Sequence, residues 1–177
     1  IMVSTLNLND MDGVVRVVRH ALIGTFAMET AGAVLMSVCL IPEFGFLKGT
    51  WHAVFHAVSS FCNAGFDLMG PVSGSFSSLE RFTGDPLINL TVMTLILVGG
   101  LGFPVWQDLM KNRLRWKKMR LHTRAVLALT AFLVLVPAAL FFITERNAAM
   151  AGMTTGTRVW ASLFSAVTPR TAGFDTV

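Results

Sequence analysis

Charge is scarce in this chain. Of its 177 residues only 14% are Asp, Glu, Lys or Arg, against about 25% in a soluble domain of ordinary composition. Water is therefore not its only expected solvent. Tyrosine is absent, although Phe occurs 14 times and Met 10 times. Cysteine is limited to Cys39 and Cys62. Two cysteines make neither a disulfide framework nor a four-ligand metal site, and both read as free thiols. No signal peptide is visible after Ile1, and the chain reads as an internal piece of a longer protein.

What is abundant is apolar surface: 54% of residues are hydrophobic and the mean hydropathy is +0.65. A bilayer crossing needs about 20 mostly apolar residues. Three stretches qualify: 21–41, broken by Glu29, 87–106, and 125–144, which contains Pro137. Asp85-Pro86 makes a good helix start for the second, with Asp as cap and Pro in the first turn. Two further apolar stretches, 51–61 and 158–168, have 11 residues each. At about 1.5 Å per residue each reaches only about half of a ~30 Å hydrocarbon layer.

The position of the charge gives an orientation. Net charge is +4, and seven of the 14 basic residues fall between Lys111 and Arg124, with no acidic residue among them. In a soluble protein such a run reads as a nucleic-acid patch. Between two apolar spans it reads as a cytoplasmic loop, and no nucleic-acid partner is expected. Residues 1–20, with Arg16 and Arg19, form a second cytoplasmic segment. Residues 42–50, 67–86 and those after Glu145 are then external.

The chain also repeats itself. Ala64-Gly65-Phe66-Asp67 recurs 108 positions later as Ala172-Gly173-Phe174-Asp175, and Ala57-Val58-Ser59 is echoed by Ala166-Val167-Thr168. The unit is span, half-length helix, glycine loop, span. Residues 21–110 hold one full unit, 111–124 a basic loop, and 125–177 a second unit ending after its loop. A half-helix that enters, turns at glycine and leaves is a re-entrant pore loop, because irregular backbone at membrane depth survives only inside protein or along a watery path. The fold class is all-α and membrane-embedded, with potassium-channel-like repeats. Cys62, Asn63, Ala64, Gly65 and Phe66, with Arg170, Thr171, Ala172, Gly173 and Phe174, are the candidate filter residues. Potassium would sit at their backbone carbonyls, with no side-chain metal site.

These residues also carry a resemblance. Phe55–Gly70 (FHAVSSFCNAGFDLMG) resembles the second pore loop of the Ktr/Trk/HKT superfamily. Ser165–Val177 (SAVTPRTAGFDTV) resembles the third loop of its Ktr membrane subunits. Gly99–Leu109 (GGLGFPVWQDL) and Leu121–Arg124 fit the flanking helices, so the likeness runs from about Arg16 to the end. It implies four linked helix–loop–helix repeats around one pore, taking up K⁺ across the plasma membrane of a bacterium, in many members with Na⁺ as coupling ion. It further implies a homodimer and a cytosolic nucleotide-binding regulatory subunit. A Na⁺-permeable HKT-like protein is the alternative. The family's gating loop and its charged residue in the fourth repeat fall outside the chain.

Other residues are weighed beside these. Glu29 lies in mid-span, where a carboxylate faces protein rather than lipid; it is expected to bond the neighbouring pore helix, with Gly32 allowing close approach. Arg170 cannot face a cation path and should brace its loop. Asp67 and Asp175 stand at the outer mouth, where they either concentrate cations or bond their own loops. His52 and His56 have the spacing of two metal ligands but no third, and read as packing. Gly99-Gly100-Leu101-Gly102 ends a span instead of opening a helix after a strand, so it reads as a helix contact, not a phosphate loop. No nucleophile–base pair is present, and the chain is expected not to be an enzyme.

Overall fold

A computed structural model describes residues 11–74, 77–112, 115–169 and 172–176. The chain is all-helical, with no strand among the described residues. Helix α1 spans Met11–Phe44 and α2 Phe46–Phe61. A third, α3, covers Pro86–Leu101 and is followed by α4, Phe103–Asn112. After the basic segment come α5, Leu121–Thr144, and α6, Thr155–Val167. Two stretches, Val15–Phe44 and Leu121–Asn147, are long and apolar enough to cross a membrane, and the bent pair α3–α4 makes a third if taken together.

Several boundaries differ from the hydropathy reading. The first span extends beyond 21–41 at both ends, because Arg16 and Arg19 are good helix formers that hydropathy discounts. The external loop expected at 42–50 shrinks to one residue. Gly45, at φ 80°, reverses the chain, and α2 begins at Phe46 instead of Trp51. The turn closes tightly because Gly49 has no side chain: a Cβ there would lie 2.6 Å from the Leu40 carbonyl oxygen. The span expected at 87–106 breaks at Gly102, at φ 82°, and α4 leaves α3 at 99°.

Each half of the chain packs a long helix against a short one, α1 on α2 and α5 on α6, and α3 lies against α1, α2 and α6. Close approaches are made at glycines. A Cβ on Gly32 would sit 2.6 Å from Leu95 of α3, and one on Gly99 would sit 2.0 Å from the Phe61 carbonyl oxygen at the end of α2. The start of α3 is capped by Asp85, whose Oδ1 accepts from the amides of Leu87 (2.9 Å) and Ile88 (3.1 Å). Losing such a cap costs about 1 kcal/mol. Glu43, at the end of α1, pairs with Arg81 at 2.5 Å.

Beyond the bend, Asp108 of α4 is buried and latches the start of α5. The Thr123 hydroxyl, the Arg120 amide (2.9 Å) and the Asn112 side-chain amide (2.8 Å) all donate to it. These donors, Thr123 foremost, hold its carboxyl below the usual carboxylate range. Large apolar side chains along α1 and α5, among them Phe26, Val34, Leu135 and Ile143, remain exposed.

Candidate functional site

The two glycine loops, 108 residues apart in sequence, meet in space. Gly65 and Gly173 both have positive φ, 70° and 78°, a region that L-residues resist. A Cβ on Gly65 would fall 2.0 Å from the Ala172 carbonyl oxygen and 3.0 Å from the Gly173 Cα. Only a glycine lets the two backbones come this close.

Both loops are tied to their own helix in the same way. The Ser59 hydroxyl donates to the Phe66 carbonyl at 2.7 Å, and the Thr168 hydroxyl donates to the Phe174 carbonyl. The amide of Ala64 turns back to the Ser59 carbonyl at 2.9 Å, and that of Ala172 to the Thr168 carbonyl at 3.1 Å. The loop amides thus face their own helix ends. Among the described residues no hydrogen bond ends on the carbonyl oxygens of Cys62, Asn63, Ala64, Gly65, Ala172 or Gly173. The arrangement leaves these carbonyls beside the C-terminal, electronegative ends of two helices.

The first loop is one residue longer than the second. From Ala57 to Ala166 is 109 positions, whereas from Ala64 to Ala172 is 108. Asn63 takes up the difference in a left-handed conformation, φ 52°, which asparagine tolerates better than most residues. With its amide turned so that the nitrogen faces these acceptors, its side chain donates to the carbonyls of Ser60 (3.2 Å) and Ile96 (3.3 Å), fastening the loop to α3.

The remaining candidates are placed as follows. Glu29 is buried, and its Oε1 lies 3.9 Å from the Cys62 thiol, which donates to it. Its neighbour is thus the end of α2. Cys62 and Cys39 are both free thiols. The Asp67 Oδ1 accepts from the Met69 amide at 2.9 Å, and the Asp175 Oδ1 from the Thr176 amide at 2.8 Å. The segment between α2 and α3 binds the second loop directly. Leu79 donates to the Asp175 carbonyl at 2.9 Å, and the Thr83 hydroxyl to that of Thr176 at 2.6 Å. Arg170 and Thr171 lie outside the described residues.

His56 has a larger place than packing alone. It is fully buried, its Nδ1 lies 2.6 Å from the His52 carbonyl, and its Nε2 accepts from the Leu68 amide at 3.3 Å. That pattern requires the neutral ring with the proton on Nδ1. The ring also lies 6.4 Å from that of Phe174, so one side chain of α2 touches the exits of both loops. His52 instead stacks on Phe44. The sequence signal for Ser59 and Thr168 was their shared place after Ala-Val. His56 stood out in the sequence only by its four-residue spacing from His52, which did not point to either loop.

Phe174 and Phe66 occupy equivalent positions but differ in surroundings. Phe174 is 1% exposed against the first repeat, whereas Phe66 is 70% exposed.

Comparison with known proteins accords with this geometry. Residues 5–177 match the TrkH family, described as cation transport proteins. The chain is 44% identical, over its whole length, to the potassium/sodium uptake protein NtpJ of Enterococcus hirae. It is 36% identical over 97% of its length to the Ktr system potassium uptake protein B of Bacillus subtilis. It is 37% identical over 86% of its length to the protein of that name from Vibrio alginolyticus. The chain spans only 38%, 38% and 33% of these three relatives. Its match to the family model, however, covers nearly all of its own residues, and on that ground the chain belongs to the TrkH family of cation transport proteins.

Proposed function

We propose that this chain forms part of the wall of a K⁺ uptake pore, in which backbone carbonyls of residues 62–66 and 170–174 replace the hydration shell of the ion. The observation that carries this reading is the meeting of the two glycine loops, with Gly65 against the Ala172 carbonyl. Two loops of one design, each with its amides turned inward, supply carbonyls on two sides of a path. No side chain is needed for chemistry.

The packing supports a ring with further loops of the same kind. Phe174 of the second repeat inserts against the first, and Phe66 is left exposed for an equivalent contact in the other direction. Head-to-tail contacts of this sort close into rings. In that arrangement Asp67 and Asp175 stand at the outer mouth and raise the local cation concentration. The same reading extends to a homodimer and to a cytosolic nucleotide-binding regulatory subunit.

A second reading, in which Na⁺ is carried or coupled, is favoured by one observation: the 44% identical relative is named for both potassium and sodium. One experiment separates the two. Uptake affinities for K⁺ and Na⁺ are measured in K⁺-uptake-deficient cells expressing the intact protein with Gly65→Ser or Gly173→Ser, normalised to membrane protein. Weakened K⁺ preference in either variant is expected. Unchanged preference in both removes these glycines from the ion path.

A further inference from the structure

Two cavities adjoin at the end of the molecule that carries the basic segment. The first, about 370 Å³, is lined by Arg16 and His20 of α1, by Asp108 and Lys111 of α4, and by Arg120. The second, about 440 Å³, is almost wholly apolar and runs between α1 and the α3–α4 bend, past Ile23, Gly24, Ala27, Val98 and Leu101. His20 and Met110 line both, so the basic mouth opens into the apolar groove.

The charge in the mouth is unbalanced. Among the described residues Asp108 is its one acidic lining residue, and that carboxylate is already engaged by Asn112, Arg120 and Thr123. Arg16, Lys111 and Arg120 bring three positive charges to the same lining.

The groove is built as well as open. The Trp106 indole donates to the Val98 carbonyl at 2.9 Å, which holds the ring across the bend as one wall. Gly24 makes room for that ring, since a Cβ there would lie 3.1 Å from it. From Arg16 to Ala27 the stripe on α1 rises about 17 Å, more than half of a ~30 Å hydrocarbon layer.

From this geometry we infer that the joined cavities hold one anionic phospholipid, its phosphodiester against Arg16, Lys111 and Arg120 and one acyl chain in the groove. Basic pockets between helices on the cytoplasmic side are suited to such headgroups. A free phosphate would use the mouth and leave the groove without purpose. A zwitterionic lipid would fill the groove but leave the mouth's positive charge unmatched.

The test is a lipid titration of the intact, delipidated protein followed by native mass spectrometry. The probes are phosphatidylglycerol, phosphatidylcholine with the same chains, and inorganic phosphate. Saturable phosphatidylglycerol binding, at least tenfold tighter than phosphatidylcholine, is expected. Arg16→Gln with Lys111→Gln should weaken it about thirtyfold and leave phosphatidylcholine unaffected. Ala27→Trp, which fills the groove, should weaken phosphatidylglycerol while the basic mouth is intact. Lys48→Gln, in the first turn of α2 beyond the far end of α1, should change nothing. Equal affinity for the two lipids, no saturable lipid binding, displacement of lipid by equimolar phosphate, or full binding in the double variant would each overturn the assignment.

Discussion

Replacing Gly65 by alanine tests the loop contact at its tightest point. The new methyl would begin 2.0 Å from the Ala172 carbonyl oxygen. Contact can relax only if that carbonyl retreats to 3.0 Å or beyond, a shift of about 1 Å. Two costs follow. Alanine at φ 70° carries about 1–2 kcal/mol of backbone strain. The displaced carbonyl also loses part of its hold on an ion. A polar group bonded to a charge contributes about 1.5–3 kcal/mol net, so losing roughly half is about 1 kcal/mol, or a five- to tenfold change in ion preference. Gly152→Ala separates the two effects. Gly152 has φ 83° and nothing within 4 Å of where its Cβ would stand, so it carries the strain without the displacement. The assay is K⁺ and Na⁺ uptake affinity in deficient cells, normalised to membrane protein. Gly65→Ala should change the ratio of affinities five- to tenfold and Gly152→Ala should leave it alone. Equal ratios in the two variants would refute the reasoning, whatever happened to abundance.

Other consequences follow from the same contacts. His56→Ala strips the Leu68 amide of its partner, a loss of about 1–3 kcal/mol for a buried group. It should lower K⁺ uptake per protein several-fold more than His52→Ala, with His56→Gln recovering part of the loss; equal effects would return His56 to packing. The Asp108 latch has a pH dependence of fixed sign. Its carboxyl is held below the usual carboxylate range, so its stabilising contribution is present above about pH 4 and is lost as pH falls through the depressed folded value. Thermal midpoints of detergent-solubilised protein should fall on acidification to pH 3 less steeply for Asp108→Asn than for the parent. For the topology, Lys48→Cys should react with an impermeant external thiol reagent in intact cells and Lys117→Cys should not.

The repeat was legible in the sequence because it is written in residues whose backbone demands are special. Two glycines, each preceded by alanine and followed by Phe-Asp, stand after a hydroxyl that binds the loop's last carbonyl. The helical class followed from long apolar runs. Boundaries were less legible, because hydropathy cannot register a backbone turn. Gly45 and Gly102 redirect the chain by single positive φ angles, shortening one expected loop to a residue and ending α3 at Leu101. Lys48 and Gly49 interrupt the hydropathy of α2 without interrupting its helix. The one-residue difference between the loops was visible in the spacing but uninterpretable without the left-handed Asn63. The role of His56 was hidden because its partners, Leu68 and Phe174, lie 12 and 118 positions away.

The claim that the paired loops line an ion path can be tested by seeing the ion. Crystals of the intact protein grown with Tl⁺ or Rb⁺ in place of K⁺ would give anomalous density for the cation. The account predicts a peak at bonding distance from the carbonyl oxygens of Ala64 or Gly65 on one side and Ala172 or Gly173 on the other, lost in Gly65→Ala. Anomalous density elsewhere in the protein, with none beside these carbonyls, would contradict it.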